Sequence, residues 1–510
     1  MKNFKLIAFL IVTMLFGCKS EKKEAVTSDV AIEKYQPNWE SLATNNKEPD
    51  WFLDSKLGIY FHWGPYSVPA FGSEWYPRWM YVENREKWGK GTFQYHEKNF
   101  GHPSKFNYHD FIPMFKAEKF DAADWATLFE SAGAKFAGPV AQHHDGFAMW
   151  ASKVNPWNAK DMGPKKDILG DLYEELKKRN LKTIATFHHA RTLQRYTKDT
   201  VNWGGNASHY PYNPEYATSS TDPKLKYLYG NLEEEEFNQY WLDEVTEVVD
   251  NYQPDIIWFD SWLDKIPENY LKKMVAHQFN AGVKNNKENL VAYKQKDIPR
   301  NVGVLDIEQG GMKEMSPDYW LTDITISDGS WCFTNGLKYK DGPLLIRNMI
   351  DVWSKKGIVL LNVSPRADGV IPDEQRAILA EIGNWTKTHA EAIYGTRTHD
   401  IYGYGVAKIE KGHFGGQSAT IKYSESDIRF TTSKDKKTLY IFCLGKPKAN
   451  SKIEIKHIFP NNAIKQIKKV ALVGNGTNVK RNIKNKVLEL TTPDANLMND
   501  IATVFKVEFE

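Results

Sequence analysis

The sequence predicts a (β/α)8-like TIM barrel followed by a C-terminal antiparallel β-sandwich, because three of its features agree. From residue 46 to 396, short apolar runs alternate with amphipathic helical stretches, as in a parallel sheet that closes on itself. From residue 397 to 510, short segments of alternating polarity are separated by Gly, Asn, Ser and Lys turns. The 510 residues are also enough for two domains.

The first 18 residues predict an export signal that is not part of the fold. Two early lysines precede an apolar stretch that is too short for a typical membrane span. The stretch ends in Leu15-Phe16-Gly17-Cys18, which resembles a bacterial lipobox, where the cysteine is lipidated. Residues 19–45 begin with a charged, polar run that predicts a flexible tether. We therefore expect an exported bacterial lipoprotein whose lipid anchor holds it in a membrane, in the periplasm or at the outer membrane and cell surface.

Six apolar runs predict buried barrel strands, and a weaker run at 319–327 predicts a seventh. Helical periodicity fills the intervals between them, and Asp121 is placed to cap one of these helices. A long polar and aromatic stretch from 190 to 235 predicts an inserted loop over the barrel mouth. The six strong runs are "LGIYFHWG" (57–64), "AKFAGPVAQHH" (134–144), "KTIATFHH" (182–189), "DIIWFDS" (255–261), "NLVAYK" (289–294) and "GIVLLNVSP" (357–365).

Histidines and an aspartate follow the first four of these strands. Side chains at the C-terminal ends of barrel strands face the active site, so we expect this group to converge there. One such histidine is ordinarily structural, but five of the 14 histidines at three successive strand ends indicate a functional site. The strand-end residues are His62, His143-His144-Asp145, His188-His189 and Asp260.

This group of residues is compatible with two kinds of chemistry. Histidine and aspartate are the usual ligands of hydrolytic zinc sites. Metal-dependent barrel hydrolases, however, usually begin with two histidines one residue apart, whereas the first strand ends in His62-Trp63-Gly64. Nearby tryptophans instead favour a sugar pocket, in which Asp260 is one of two carboxyl groups that hydrolyse a glycoside. The net charge of +3 gives no reason to expect a nucleic-acid partner.

Four motifs resemble the α-L-fucosidases of glycoside hydrolase family 29. They are "LGIYFHWGPYSVPAFGSEWY" (57–76), "HHDGFAMW" (143–150), "IIWFDSW" (256–262) and "NVSPRADGVIPDEQ" (362–375). The resemblance runs from about residue 45 to 395. It implies an exo-acting, retaining enzyme that cleaves terminal α-L-fucosyl residues of glycans or polysaccharides through a covalent intermediate. It also implies an aspartate nucleophile, with neither a metal nor another cofactor.

The resemblance carries roles to individual positions. Asp260 matches the nucleophile. Trp258 is expected to line the pocket near the C5 methyl group of the sugar. Two positions depart from the family pattern, because His188 stands where a tyrosine is common and Lys294 or Lys296 stands in place of an arginine. Positions that match hydroxyl-binding residues are His62, Glu74, Trp75, His143 and His144.

The acid/base varies in position within this family, and the segment 304–320 offers two glutamates. Glu308 follows the apolar "VGVLDI", which places it at a strand end, whereas Glu314 lies in a polar turn. We therefore predict Glu308 as the acid/base and keep Glu314 as the alternative.

Two other functions remain open from the sequence. The same fold could serve another deoxy or galacto-configured sugar. The protein could also be a non-catalytic, glycan-binding surface lipoprotein, although the presence of both Asp260 and Glu308 argues against that.

Overall fold

The computed structural model describes residues 33–412, 416–459 and 466–510. The predicted signal segment with its lipidation site Cys18, and the first part of the predicted tether, lie outside these residues. In the part of the chain that the structure describes, no helix combines the length and the apolar character that crossing a membrane requires.

Eight parallel strands close into a barrel, as the sequence predicts. Around the barrel the strands follow the order β1-β11-β8-β6-β5-β4-β3-β2. Three further strands in this part of the chain are short and lie outside the barrel. The strands up to residue 363 are β1 (Leu57–Phe61), β2 (Phe136–Gln142), β3 (Lys182–Phe187), β4 (Ile256–Phe259), β5 (Leu290–Lys294), β6 (Val304–Asp306), β7 (Gly310–Gly311), β8 (Trp320–Thr325), β9 (Ser327–Asp328), β10 (Lys338–Tyr339) and β11 (Gly357–Val363).

Helices cover the outside of the barrel, and side chains cap three of their N-termini, those that begin after Asn38, Asp121 and Asp167. The Asp121 carboxylate accepts hydrogen bonds from the backbone N–H groups of Ala123 and Asp124, which confirms the predicted N-cap. The helices are α1 (Trp39–Leu42), α2 (Asp50–Ser55), α3 (Tyr76–Trp79), α4 (Thr92–Phe100), α5 (Ala122–Ser131), α6 (Ile168–Lys178), α7 (Leu225–Tyr229), α8 (Glu234–Tyr252), α9 (Glu268–Lys284), α10 (Gly342–Ser354), α11 (Asp373–Thr388) and α12 (Ala390–Ile393).

Close contact between neighbouring strands requires glycine at one position of the barrel. A Cβ atom added to Gly138 in β2 would lie 1.7 Å from the carbonyl oxygen of Ile184 in β3. Any larger residue would therefore push β2 and β3 apart just below the histidines that follow them.

The C-terminal part forms two antiparallel sheets, as predicted. One sheet has the order β12-β14-β15-β20-β17 and the other β16-β19-β18, and one hydrophobic cluster draws Phe430 and Ile441 from the first and Leu488 and Leu490 from the second. This is the packing of a β-sandwich. The strands are β12 (Arg397–Tyr404), β13 (Gln417–Ser418), β14 (Ile428–Thr432), β15 (Thr438–Cys443), β16 (Lys452–Ile455), β17 (Ile467–Leu472), β18 (Lys480–Lys484), β19 (Val487–Thr491) and β20 (Thr503–Phe509).

The chain after the barrel also returns to the barrel mouth. The short strand β13 pairs antiparallel with β7, which directly follows the acidic end of β6. Residues 418–420 consequently border the cavity described below. The C-terminal part, predicted to begin at residue 397, therefore contributes to the wall of the site.

Residues 35–45, which the sequence assigns to the tether, are folded against the barrel. Tyr35 is buried, and its backbone N–H donates to the side chain of Asn280 in α9. Leu42 in α1 is fully buried as well. Burial of these two apolar side chains and the hydrogen bond to Asn280 hold this stretch against the barrel. The polar composition of the residues before it gave no sign of this packing.

Candidate active site

Four of the five histidines at the predicted strand ends do converge at the mouth of the barrel. The ring centroids of His62 and His188 lie 5.2 Å apart, and those of His143 and His188 lie 4.7 Å apart. The ring of His144 lies 4.7 Å from that of His143. All four side chains are buried. Asp260 follows β4 at the same level, and His144 Nε2 lies 3.4 Å from its Oδ2 atom.

His189 does not join this group. Its ring stacks on Trp241 of α8, and its Nε2 atom lies 3.5 Å from the buried carboxyl of Glu244. Successive residues at a strand end point to opposite sides, so His188 faces the barrel axis while His189 faces the helix. Its place is taken by His209, from the predicted inserted loop, which stacks on His144 at 5.3 Å.

Trp258 packs against the site from inside the barrel. Its side chain is fully buried inside the barrel, 5.3 Å from the ring of His188 and 6.1 Å from that of Tyr60. Trp258 and Asp260 are two residues apart on β4 and point the same way, so Trp258 occupies the layer below the carboxylate. Its ring lies 4.9 Å from Lys294 Nζ, and its contact with the C5 methyl group of the sugar stays a prediction.

Lys294, the last residue of β5, stands at the centre of a cluster of carboxyl groups. Its Nζ atom lies 2.9 Å from Asp260 Oδ1, 2.7 Å from Glu308 Oε2 and 3.1 Å from Asp323 Oδ2. The lysine side chain is almost fully buried. Water therefore screens these attractions weakly, and the ammonium group holds three carboxyl groups in a fixed arrangement.

Asp323 and Asp306 are members of this cluster that sequence reasoning missed as functional residues. Asp323 lies in the middle of β8 and accepts a hydrogen bond from the Tyr60 hydroxyl at 3.1 Å. Asp306 ends β6 and is also buried. Burial, together with the neighbouring Asp323 carboxyl, raises the pKa of Asp306 well above its ordinary value. The sequence did contain a sign of Asp323, because this acidic residue interrupts the apolar run of a predicted strand. Asp260 similarly stands at the end of such a run.

The Asp260 carboxyl is held in its ionised form. Burial on its own opposes ionisation, but the Lys294 ammonium outweighs it, and His144 donates a hydrogen bond. The pKa of Asp260 consequently lies well below its ordinary value.

The Glu308 carboxyl has the opposite tendency. Burial, reinforced by the nearby Asp323 and Asp260 carboxyls and opposed by Lys294, raises its pKa to about 8. Glu308 therefore carries a proton at neutral pH, two residues beyond the end of β6. Glu314 is exposed and lies outside the lining of the cavity, among the residues that the structure describes.

The histidines of the floor are neutral. Burial is the main cause, and it lowers the pKa of His62 to about 4 and the pKa values of His143 and His188 well below the ordinary value. The His62 ring is fixed by a 2.8 Å contact between Nδ1 and Asn362 Oδ1. Neutral imidazoles can donate to and accept from sugar hydroxyl groups.

The same three histidines form the one group of metal-ligating side chains found in the described part of the chain. One ring nitrogen from each of His62, His143 and His188 lies within 4.8 Å of the others. Three neutral imidazoles are also a donor set that zinc accepts. The three ring nitrogens could therefore bind either a metal ion or sugar hydroxyl groups. Metal analysis and the effect of a chelator on activity distinguish these two roles.

The wall of the site is built by the loop after β1 and the loop after β9. Glu74 Oε2 accepts a hydrogen bond from the backbone N–H of Trp331, whose carbonyl accepts from Asn362. Burial raises the pKa of Glu74 to about 7. The Trp331 ring lies 5.2 Å from His62, and the Trp75 ring lies 5.1 Å from His144. Trp331 was not predicted from the sequence, because its loop reaches the site only through the fold.

These elements enclose a cavity of about 1150 Å³ at the C-terminal end of the barrel. Nine of the predicted site residues line it: His62, Glu74, Trp75, His143, His144, His188, Asp260, Lys294 and Glu308. Glycoside hydrolases typically place an ionised carboxylate next to a protonated carboxyl group, and this site has that pair surrounded by neutral hydrogen-bond donors and aromatic rings.

Comparison with known proteins identifies the family. The model of the Alpha-L-fucosidase family matches residues 23–391. The tissue alpha-L-fucosidase of Rattus norvegicus is 30% identical over 387 residues, which are 73% of this chain and 75% of that protein. The plasma alpha-L-fucosidase of Homo sapiens is 29% identical over 375 residues, 72% and 73% of the two chains. The crystal structure of Thermotoga maritima alpha-fucosidase in complex with fucose matches with a TM-score of 0.70 and 28% identity, and covers 93% of this chain and 100% of that one. The chain belongs to the alpha-L-fucosidase family and is a glycoside hydrolase.

Proposed function

We propose that the protein is an exo-acting, retaining α-L-fucosidase that removes terminal α-L-fucosyl residues from glycans or fucose-containing polysaccharides through a covalent fucosyl-enzyme intermediate. One observation carries the mechanism. Asp260 Oδ1 and Glu308 Oε2 lie 2.9 and 2.7 Å from the same nitrogen of Lys294, so these oxygens are at most about 5.6 Å apart. Retaining enzymes place their two carboxyl groups about 5–5.5 Å apart, and inverting enzymes about 6.5–9.5 Å apart.

In the first step, Asp260 is the nucleophile and Glu308 the acid. An ionised oxygen of Asp260 forms a bond to C1 of the fucosyl unit as the bond from C1 to the glycosidic oxygen breaks. Glu308 donates its proton to that oxygen, which leaves as an alcohol. The low pKa of Asp260 and the raised pKa of Glu308 give each group the required protonation state at neutral pH.

The second step reverses the role of Glu308. Once Asp260 is esterified it carries no charge, and Glu308, now ionised, has lost a repulsive neighbour, so its pKa falls. The carboxylate takes a proton from a water molecule whose oxygen attacks C1, and Asp260 leaves as a carboxylate. Inversion occurs twice, so fucose is released in its original α configuration.

Sugar recognition is assigned to the neutral histidines and the walls of the cavity. His62, His143, His144 and His188 offer ring nitrogens to hydroxyl groups, and Glu74 offers an acceptor. The rings of Trp75 and Trp331 provide apolar surface for the C–H groups of the sugar. We take the fucosyl specificity from the relatives named above.

Covalent trapping tests this proposal. A 2-deoxy-2-fluoro fucosyl fluoride should inactivate the enzyme and add one fluorofucosyl group to the peptide that contains Asp260, as read by mass spectrometry. Asp260→Asn should be folded, unlabelled and at least about a thousandfold less active on aryl α-L-fucosides, because loss of a covalent nucleophile costs several powers of ten. Labelling at another residue, or more than about a tenth of normal activity in Asp260→Asn, would contradict the assignment.

We also propose that the protein is exported and anchored by a lipid at Cys18. The support is the sequence of residues 15–23, in which a lipobox-like segment is followed at once by a charged, polar run. Such an anchor would place the catalytic part at the cell envelope, where large glycans are within reach.

A further inference from the structure

The cavity lining also includes five cationic side chains besides Lys294. Among the described residues, Asp328 is the one carboxyl group of the lining other than Glu74, Asp260, Glu308 and Asp323. Glu83 and Glu86 lie in the same loop but do not line the cavity. We call the five cationic side chains the outer basic wall: Arg85, Lys87, Lys90, Arg191 and Lys340.

Arg191 is the most unusual member of the wall because it is buried without a hydrogen-bonding partner. It is only 4% exposed, and its guanidinium group lies between the rings of Trp75 and Trp262, at 4.6 and 4.3 Å from their centres. Its side chain makes no hydrogen bond or ion pair with any residue in the described ranges. A buried guanidinium without an acceptor is costly, so its N–H groups require a ligand or water from the cavity.

A second buried arginine shows what a structural arginine in this region looks like. The guanidinium group of Arg78 donates to four backbone carbonyls, those of residues 204, 205, 208 and 209, and so fixes the loop that carries His209. Arg191 follows β3 on the cavity side and has no such acceptors. Contact with two tryptophan rings restricts the movement of the guanidinium, and its buried Nε has no hydrogen-bond partner within the protein.

The remaining members of the wall add charge without pairing to carboxylates. Arg85 stacks on Trp79 at 4.5 Å and donates from Nε to the Trp88 carbonyl, which leaves the rest of its guanidinium open. Lys87 and Lys90 are exposed, and the described residues offer neither of them an ion pair. Lys340 is bonded to neutral oxygens of Gln309 and Thr325 only.

We infer that the outer basic wall binds an anionic substituent of the fucosylated substrate, such as a sulfate ester, on either the cleaved fucosyl unit or the neighbouring sugar. This inference rests on the proposed fucosidase activity and specifies its substrate class. Guanidinium groups form paired, charge-assisted hydrogen bonds with planar or tetrahedral oxyanions. The tryptophan rings beside Arg191 and the two-thirds exposed ring of Trp88 supply stacking surface for sugar rings next to that anion.

The test compares fucosyl oligosaccharides that differ only in sulfation. Sulfated oligosaccharides and their chemically desulfated counterparts are hydrolysed by the wild type, by the triple variant Arg85→Gln/Lys87→Gln/Lys90→Gln, and by Arg191→Gln and Arg191→Lys. The readout is the ratio of kcat/KM for the sulfated to the desulfated substrate. The matched control removes three exposed lysines from the C-terminal sandwich, in or next to β18: Lys480→Gln, Lys484→Gln and Lys486→Gln.

We expect the wild type to prefer the sulfated substrate by at least about tenfold, and added salt to reduce this preference. The ratio should fall by about tenfold in the triple variant and in Arg191→Gln, recover in part in Arg191→Lys, and stay unchanged in the control. Substrates with sulfate on the terminal fucose alone, or on the next sugar alone, then show which unit carries the anion. A wild-type ratio near one, or an equal effect of the two triple variants, would overturn the inference.

A binding measurement separates this inference from the proposed function. If wild type fails to hydrolyse a neutral aryl α-L-fucoside, the proposed activity is wrong. Calorimetric binding of the same oligosaccharide pair to Asp260→Asn then still decides the subsite, because it needs no turnover. Tighter binding of the sulfated member supports the anionic subsite, and equal binding refutes it.

Discussion

Replacing Lys294 with methionine should move the whole pH–activity profile to higher pH. The ammonium group contacts both Asp260 and Glu308, at 2.9 and 2.7 Å, and favours the ionised form of each. Removing it therefore raises both pKa values. The acid limb of the profile, which reports ionisation of Asp260, and the basic limb, which reports loss of the proton from Glu308, should both shift upward.

The size of the shift follows from the contact geometry. A positive charge within about 4–6 Å lowers a carboxyl pKa by about 1–3 units, so the acid limb should rise by about that amount, equivalent to about 1.4–4 kcal/mol. The basic limb should rise from its starting point at about 8. Activity near pH 6 should consequently fall more than activity near pH 9. The variant should also unfold more easily, because removing one partner from a buried ion pair costs about 3–5 kcal/mol.

The assay is kcat/KM for 4-nitrophenyl α-L-fucoside from about pH 4 to about pH 10, with thermal unfolding measured in parallel. Lys294→Arg keeps the charge and should leave both limbs close to those of the wild type. Lys296→Met removes an exposed lysine from the same segment and is the matched control. Limbs that stay in place in Lys294→Met, or that move equally in Lys296→Met, would refute the assigned role of Lys294.

Three further outcomes are expected. Glu308→Ala should lose far more activity on fucosides with poor leaving groups than on activated aryl fucosides, and azide should restore turnover of the activated substrates. If azide rescues Glu314→Ala instead, Glu314 and not Glu308 is the acid/base. His143→Ala should raise the transition-state barrier by about 0.5–1.5 kcal/mol, as expected for the loss of a hydrogen bond to a neutral hydroxyl group. Stoichiometric zinc in the purified protein, with activity lost to a chelator and restored by metal, would show instead that the histidines bind a metal. Cys18→Ala should release the protein from the membrane fraction, and its retention there would exclude the lipid anchor.

The location of the site could be predicted from the sequence because barrel geometry is regular. A buried parallel strand is a nearly continuous apolar run, and Ile256 to Phe259 is such a run, so the polar residue after it must lie at the barrel mouth. The same argument places His62, His143 and His188. This argument uses only the strands and does not depend on the loop conformations, which follow no comparable periodicity in the sequence.

Contacts between distant parts of the chain set the rest of the site, and no local pattern encodes them. His209 reaches His144 because Arg78 fixes its loop, and Trp331 joins the wall because Asn362 and Glu74 hold its backbone. The direction of His189 depends on which side of β3 is covered by α8. Each of these outcomes is decided by packing across long sequence separations, where single-residue propensities carry little information.

The protonation states of the carboxyl groups could not be predicted from the sequence, because they follow from burial and from the arrangement of charges around each group. One ammonium, that of Lys294, serves Asp260, Glu308 and Asp323, and it does not hold every neighbouring carboxyl in its ionised form. The raised pKa of Glu308 means that the folded protein binds this proton more tightly than the unfolded chain. Its contribution to stability is therefore complete below about pH 4.5 and is lost as the pH rises towards about 8. Asp260 behaves in the opposite way, since its lowered pKa contributes stability above the unfolded value that is lost on acidification. The distribution with Asp260 ionised and Glu308 protonated is thus the one that the folded site favours at neutral pH, and it is also the one that the proposed first step requires.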